Sequence, residues 1–298
     1  MTTSPFTSAA LAGKRIVITG GGTGLGRGVA RHLVNHGAEV HLWGRRPAVL
    51  EEAAAEASSM RPGSVHWQTV NVRDADMVDA AMDEIWSTHG PLTGVINNAA
   101  ANFIAPTESL SSRAFEAVTS TVMNGSFNTT HAAGRRWIDG GTKGVVLSTL
   151  TTWIWTGSAF VVPSAMAKAA VHSMTMSLAV EWARYGIRLN ALAPGPIPTD
   201  YAWEMLNPTD KSSTGATQAD QIPMGRMGTI EELANLTVFL LSDACDYLTG
   251  QTIAMDGGQM LAGPGTFAGL TTMTADDWAT ARNKSQAASA ASKAQRGV

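Results

Sequence analysis

The stretch RIVITGGGTGLGRGVARHLVNHGAEVHLWGRR, Arg15 to Arg46, decides the fold. Its first residues, RIVITG, are β-rich and run into a glycine cluster, and the segment after the cluster has the apolar spacing of a helix. A second strand pattern, EVHLWG (Glu39 to Gly44), follows at the distance of a β-α-β unit. A glycine cluster alone can be no more than a tight turn. Between strand and helix it can also cradle a pyrophosphate. Glycines permit the turn and the close backbone approach, and the helix N-terminus supplies N–H groups and a favourable dipole. Gly20, Gly22, Thr23, Gly24, Leu25 and Gly26 are the residues expected to do so.

The end of the second strand selects the dinucleotide. An NAD site wants an acid there for the ribose hydroxyls. This chain has Trp43, Gly44, Arg45 and Arg46, while Glu39 stands at the other end of the strand. Two arginines can neutralise a 2′-phosphate, so NADP(H) is expected; the plainer alternative for the pair is a solvated loop.

Further strands follow outward from this unit. VHWQTV (Val65 to Val70) runs into a loop where Asn71 can hydrogen-bond an adenine edge and Val72 is expected at the cofactor, while Arg73 has no evident partner. GVINNAAANF (Gly94 to Phe103) is a fourth strand ending in small residues, with Asn98 and Ala99 against the cofactor. At least one of Asn97 and Asn98 is expected to tie the turn together instead. GVVLST (Gly144 to Thr149) is a short buried strand, then comes a polar and aromatic loop, and Pro163 opens a helix carrying Ser164 and Lys168 one turn apart. One long helix is expected from about Ser112 to Trp137, and RLNALA (Arg188 to Ala193) is a sixth strand. The loop after it, PGPIPT, ends in Thr199, whose hydroxyl is expected to meet a cofactor diphosphate.

The pattern is that of an α/β protein with a Rossmann-type, doubly wound parallel sheet of about seven strands in a single domain. Residues 1–270 are expected to form that dinucleotide-binding domain, with a substrate lid at about 200–227 that is rich in Pro, Thr, Ser and Gly. Residues 271–298 are an extension, partly helical or disordered. A net charge of -3 argues against a nucleic-acid partner, and no apolar run reaches membrane-spanning length. The single cysteine, Cys245, fits a reducing compartment, and the first residues lack a signal-peptide pattern, so a cytoplasmic location is expected. The seven histidines show no metal-ligand spacing, and no metal is expected. His172 and His131 are expected to be packed or solvent-facing, and Cys245 has no adjacent base.

TGGGTGLG, NNAA, the helix lysine and LAPGPIPT together resemble the short-chain dehydrogenase/reductase family across most of the chain. In that family a tyrosine stands four residues before the lysine and protonates an alkoxide. Here that position is Ser164, and the three tyrosines are Tyr185, Tyr201 and Tyr247. NNAAANFIAPTESLS, TGSAFVVPSAMAKA, AVEWARYGIRLNALAPGPI and TMTADDW are similar to the mitochondrial-type 2,4-dienoyl-CoA reductase branch, which also carries serine at this place. The resemblance implies that Arg45, Asn71 and Lys168 contact NADP(H), that Pro194, Gly195, Pro196 and Ile197 lie along the nicotinamide, and that Asn102, Phe103, Ser111 and Arg73 contact an acyl-CoA. It further implies Asn124 as the family's structural asparagine beside Lys168, and a homotetramer. Met205 replaces a basic residue near the CoA.

The branch's own tyrosine lies eleven residues before the serine, where this chain has Trp153. Thr151, thirteen residues before Ser164, occupies the place of the family's catalytic serine. Reduction of a conjugated thioester puts charge on the thioester oxygen, which needs hydrogen-bond donors and not a protein acid. Asn102 with Thr151 or Trp153 can supply them; Trp153 can equally be a packing aromatic. Ser164 orients Lys168 or caps its helix. Reduction of another activated alkene, oxidation of an alcohol, and cofactor binding without catalysis remain open on these residues.

Overall fold

In a computed structural model that describes residues 4–102, 104–199, 219–263, 270, 273–281 and 283, seven strands form one all-parallel sheet in the order β3-β2-β1-β4-β5-β6-β7. The strands are β1 (Arg15–Thr19), β2 (Glu39–Gly44), β3 (Val65–Thr69), β4 (Gly94–Asn97), β5 (Gly144–Thr149), β6 (Ile187–Pro194) and β7 (Thr252–Met255). The order reverses between β1 and β4, so the crevice of a doubly wound sheet opens beyond the carboxyl ends of those two strands. Residues 259–298 cluster as a second compact unit, whose described part includes the short helix Gln259–Ala262.

Strands sandwiched between helices must be apolar on both faces. Accordingly Ile16, Val17 and Ile18 of β1 and seven consecutive residues of β6 are buried. Helices α1 (Gly24–Asn35), α2 (Pro47–Ser58) and α8 (Ile230–Leu241) cover one face through Leu33, Leu50, Leu233 and Val238. Helices α3 (Ala75–Thr88), α5 (Gly125–Asp139) and α7 (Val162–Glu181) cover the other through Met82, Ile85, Trp137 and Ala179. Each such aliphatic side chain contributes roughly 1.5–3 kcal/mol by leaving water. A buried guanidinium links sheet to helix. Arg188 of β6 donates to the carbonyls of Leu240, Ser242 and Leu248 at 3.1, 3.1 and 3.3 Å.

The helix expected from Ser112 to Trp137 is broken. It runs as α4 (Ser112–Thr119), a π-helical turn over Ser120–Asn124, and α5. Thr119, Ser120 and Thr121 return their hydroxyls to the carbonyls of Phe115, Glu116 and Ala117 at 3.2, 2.5 and 2.9 Å. Such back-bonding competes with the helical ladder and bends it. Helix α7 starts at Val162, with Pro163 in its first turn, where a missing N–H is harmless. Among the described residues no helix is long and apolar enough to cross a membrane.

Candidate active site

The glycine turn leaves no room for side chains. Gly20 has φ 67° and Gly24 φ 52°, values that disfavour any side chain. A Cβ at Gly26 would lie 2.4 Å from the Gly20 carbonyl oxygen and 2.6 Å from Asn98 Nδ2. Asn98 holds this turn. Its Nδ2 donates to the carbonyls of Thr19 and Gly20 at 3.1 and 3.2 Å, and its backbone N–H, like that of Ala99, reaches Thr19 Oγ1 at 3.0 Å. Asn98 is therefore the turn-tying asparagine. Asn97 is buried, and its Nδ2 donates to Thr130 and Ser148 at 2.8 and 3.3 Å.

The other predicted cofactor residues come to the same edge from successive strands. Trp43 ends β2 in the core, and exposed Arg45 and Arg46 follow it without a carboxylate partner among the described residues. Glu39 sits at the opposite end, bound to Arg15. After β3, Asn71 Oδ1 accepts from the Arg73 N–H at 3.3 Å. Val72 is buried against Gly125, its carbonyl accepting from Asn128 at 2.9 Å, and Arg73 is exposed. After β6, Gly195 N–H bonds the Met255 carbonyl at 3.0 Å and Pro196 O accepts from Gly228 at 3.1 Å. Ile197 packs on the core. The chain then brings Thr199 over the start of α1, with its Oγ1 3.6 Å from where a Cβ on Gly24 would be. A helix N-terminus without a side-chain cap, a hydroxyl above it and two free guanidiniums beside it fit a phosphorylated dinucleotide.

Lys168 lies one turn below Ser164 on α7, and both are buried, at 6% and 4% exposure. Its ammonium donates to the Thr149 carbonyl at the end of β5, leaving two N–H donors for a ligand. Burial depresses its pKa from 10.5 to about 8. Thr151 and Trp153 are half-buried just beyond β5, where Trp153 opens the short helix α6 (Trp153–Thr156). Thr151 Oγ1 accepts from the Trp153 backbone N–H at 3.0 Å, so its own proton stays free to donate. The Trp153 indole N–H has no protein acceptor among the described residues. Asn102 is half-buried in the loop after β4. That loop is fastened to the loop before α7, since Ala105 N–H donates to the Phe160 carbonyl at 3.0 Å. Phe160 has φ 65°, a strained conformation for an aromatic residue of the kind that gathers at functional sites.

Other expectations land less centrally. Ser111 caps α4, accepting from Ala114 N–H at 3.2 Å. Asn124 is exposed at the end of the π turn, on an element that packs against α7. Phe103 and residues 200–218, which hold Met205 and most of the expected lid, lie outside the described residues. Of the tyrosines, Tyr185 follows α7 at its far end and Tyr247 is fully exposed in the loop before β7, while Tyr201 is outside the description. Cys245 is buried, burial raises its thiol pKa, and Sγ donates to the Phe239 carbonyl at 3.1 Å. His172 bonds Thr252 at 2.8 Å and His131 stacks on Phe127, so neither serves the site.

A dinucleotide cradle, a buried lysine and a row of hydroxyl and amide donors at one sheet edge define an oxidoreductase. The family described as Enoyl-(Acyl carrier protein) reductase matches residues 20–260, and the chain belongs to it and so to the short-chain dehydrogenases/reductases. The chain is 42% identical over 249 residues, 83% of its own length and 97% of the relative's, to a probable 2,4-dienoyl-CoA reductase of Bacillus subtilis. It is 39% identical over 84% of its length to 81% of a probable 2,4-dienoyl-CoA reductase of Caenorhabditis elegans. A short-chain dehydrogenase structure from Bacillus anthracis matches with TM-score 0.75 and 40% identity, covering 83% of this chain and 96% of that one. A gluconate 5-dehydrogenase from Burkholderia cenocepacia, solved with NADP and tartrate, matches at 0.77 and 30% identity over 85% and 98%.

The comparisons overturn the cytoplasmic expectation. Relatives from Danio rerio, Arabidopsis thaliana and Pongo abelii, 36, 31 and 34% identical over 82, 88 and 85% of this chain, are peroxisomal 2,4-dienoyl-CoA reductases. One buried thiol suits any reducing environment and does not distinguish one from another.

Proposed function

We propose that this chain reduces a conjugated acyl-CoA of the 2,4-dienoyl type with NADPH, and that hydrogen-bond donors replace the phenol used by most of the family. The observation that carries this reading is Ser164 beside buried Lys168 with no tyrosine among the described residues of the crevice, in a chain 42% and 39% identical to two probable 2,4-dienoyl-CoA reductases. When bound, NADPH supplies a hydride from its nicotinamide. Lys168 anchors the ribose beside that ring, Arg45 and Arg46 hold the 2′-phosphate, and Asn71, Val72, Asn98 and Ala99 border the adenosine and central part of the cofactor. That hydride would go to the far end of the diene and leave charge on the thioester oxygen. Asn102 Nδ2 and the free Thr151 proton steady that charge, with the Trp153 indole as a further donor. Water then protonates the dienolate at carbon, so no side chain has to give up a proton. Arg73 and Ser111 border the CoA chain, and the assembly is a homotetramer.

Substrate comparison tests the proposal. NADPH oxidation is expected with 2,4-hexadienoyl-CoA and at least about 100-fold slower with acetoacetyl-CoA, whose ketone needs a proton at oxygen. A preference for the ketone would defeat it.

Two variants separate the roles. Arg45→Ala with Arg46→Ala should raise the NADPH KM about 10- to 100-fold, the worth of 1.5–3 kcal/mol of charge-assisted bonding, while NADH kinetics stay within about twofold. For Trp153→Phe, a fall in kcat of about tenfold is expected, because Thr151 and Asn102 remain. Steady-state kinetics at saturating NADPH measures it, and an unchanged kcat would make the indole a pocket wall only.

A further inference from the structure

Far from the cofactor crevice, the opposite end of the sheet gathers four metal-ligating side chains. Glu39 opens β2, His41 follows on the same face, His66 is paired in register with His41 from β3, and His89 ends α3. His41 stands three residues before Gly44, about 10 Å along the strand from the crevice edge. The four ligand atoms all lie within 4.8 Å of one another. Glu39 Oε1 is 3.2 Å from His41 Nε2, 3.7 Å from His66 Nε2 and 3.4 Å from His89 Nδ1. Zinc bound tetrahedrally at about 2.0–2.1 Å keeps its ligands about 3.3 Å apart.

Hydrogen bonding alone leaves this arrangement unsatisfied. A carboxylate oxygen has two lone-pair sites. Oε1 already accepts from Arg15 Nε at 2.9 Å and meets His41 Nε2 at 3.2 Å. The nitrogens of His66 and His89 are aimed at the same oxygen with no lone pair left for them. Arg15 Nη2 binds the second oxygen of Glu39 at 3.0 Å, the outer support that orients a ligating carboxylate. A cavity of about 300 Å³ bordered by the three imidazoles, Gln68 and Glu84 gives an ion a way in and room for a water.

We propose that Glu39, His41, His66 and His89 form a binding site for one zinc-class divalent transition-metal ion, which clamps β2, β3 and the end of α3 together. The ion sits away from the reacting atoms and has a structural role. It needs no part of the proposed reductase mechanism.

The test uses the full chain without an affinity tag, stripped with chelator and titrated with Co²⁺ and then Zn²⁺. One cobalt per chain is expected, with the visible ligand-field bands of a four- or five-coordinate nitrogen and oxygen site that one equivalent of zinc abolishes. Zinc should also raise the melting temperature. His66→Gln together with His89→Gln should weaken cobalt binding by at least about 100-fold with NADPH binding intact. If the double variant does not fold, the single His66→Gln change on a half-exposed ring carries the same expectation. Absence of a saturable cobalt spectrum in the wild-type chain, or an equal spectrum in folded variants, overturns the proposal.

Discussion

Lys168→Met is expected to lower kcat/KM for dienoyl-CoA reduction on the order of 10³-fold while making the protein harder to melt near pH 7. Methionine fills much of the same slot on α7 without the ammonium, so the bond to Thr149 and the proposed anchor for the nicotinamide ribose are both lost. The stability gain follows from the buried charge. The folded pKa of about 8 lies below the ordinary 10.5, so between those values the folded chain binds fewer protons than the unfolded one. Stability contributed by this group therefore rises with pH across that window, and the ammonium form costs about 3 kcal/mol below it. Wild-type kcat/KM should show an alkaline fall centred near pH 8 in the free enzyme, absent from the residual rate of the variant. Melting curves at pH 7 and pH-rate profiles measure the two halves of this expectation. A variant that is less stable and retains wild-type turnover would remove Lys168 from the site.

Gly26→Val should abolish measurable NADPH binding. Its Cβ would be 2.4 Å from the Gly20 carbonyl oxygen, which is backbone and cannot swing aside, and 2.6 Å from the Asn98 amide that holds the turn. The clash must push the turn off its geometry or drive Asn98 away, and either change spoils the N–H array at the start of α1. Overpacking of this kind costs about 1–3 kcal/mol, or several degrees in melting temperature. NADPH fluorescence titration should find no saturation for the variant under conditions that saturate the wild type. Tight binding by a folded Gly26→Val chain would contradict the assignment of this turn to the phosphates.

Much of this architecture was legible from local pattern. Strands buried on both faces read as apolar runs, and the Gly20–Gly26 turn between strand and helix marks the switch point. Contacts between residues distant in sequence were not legible. The grip of Asn98 on the Gly20 turn spans 78 residues, and only a fold that sets β4 beside β1 could assign it over Asn97. The π turn depends on which hydroxyls of a Thr-Ser-Thr run turn back to the backbone, a choice that helical periodicity does not encode. The histidine cluster has no spacing to notice because β2, β3 and α3 each contribute a part. Thr199 could be placed from its loop, but its position over Gly24 is a tertiary fact.

The central claim is that hydrogen-bond donors at the thioester oxygen make a phenol dispensable, and Asn102→Ala tests it most directly. In single-turnover mixing of the NADPH-loaded chain with 2,4-hexadienoyl-CoA, loss of cofactor absorbance is expected to slow by about 10²-fold with NADPH affinity unchanged. Hydride transfer at the wild-type rate in this variant would contradict it.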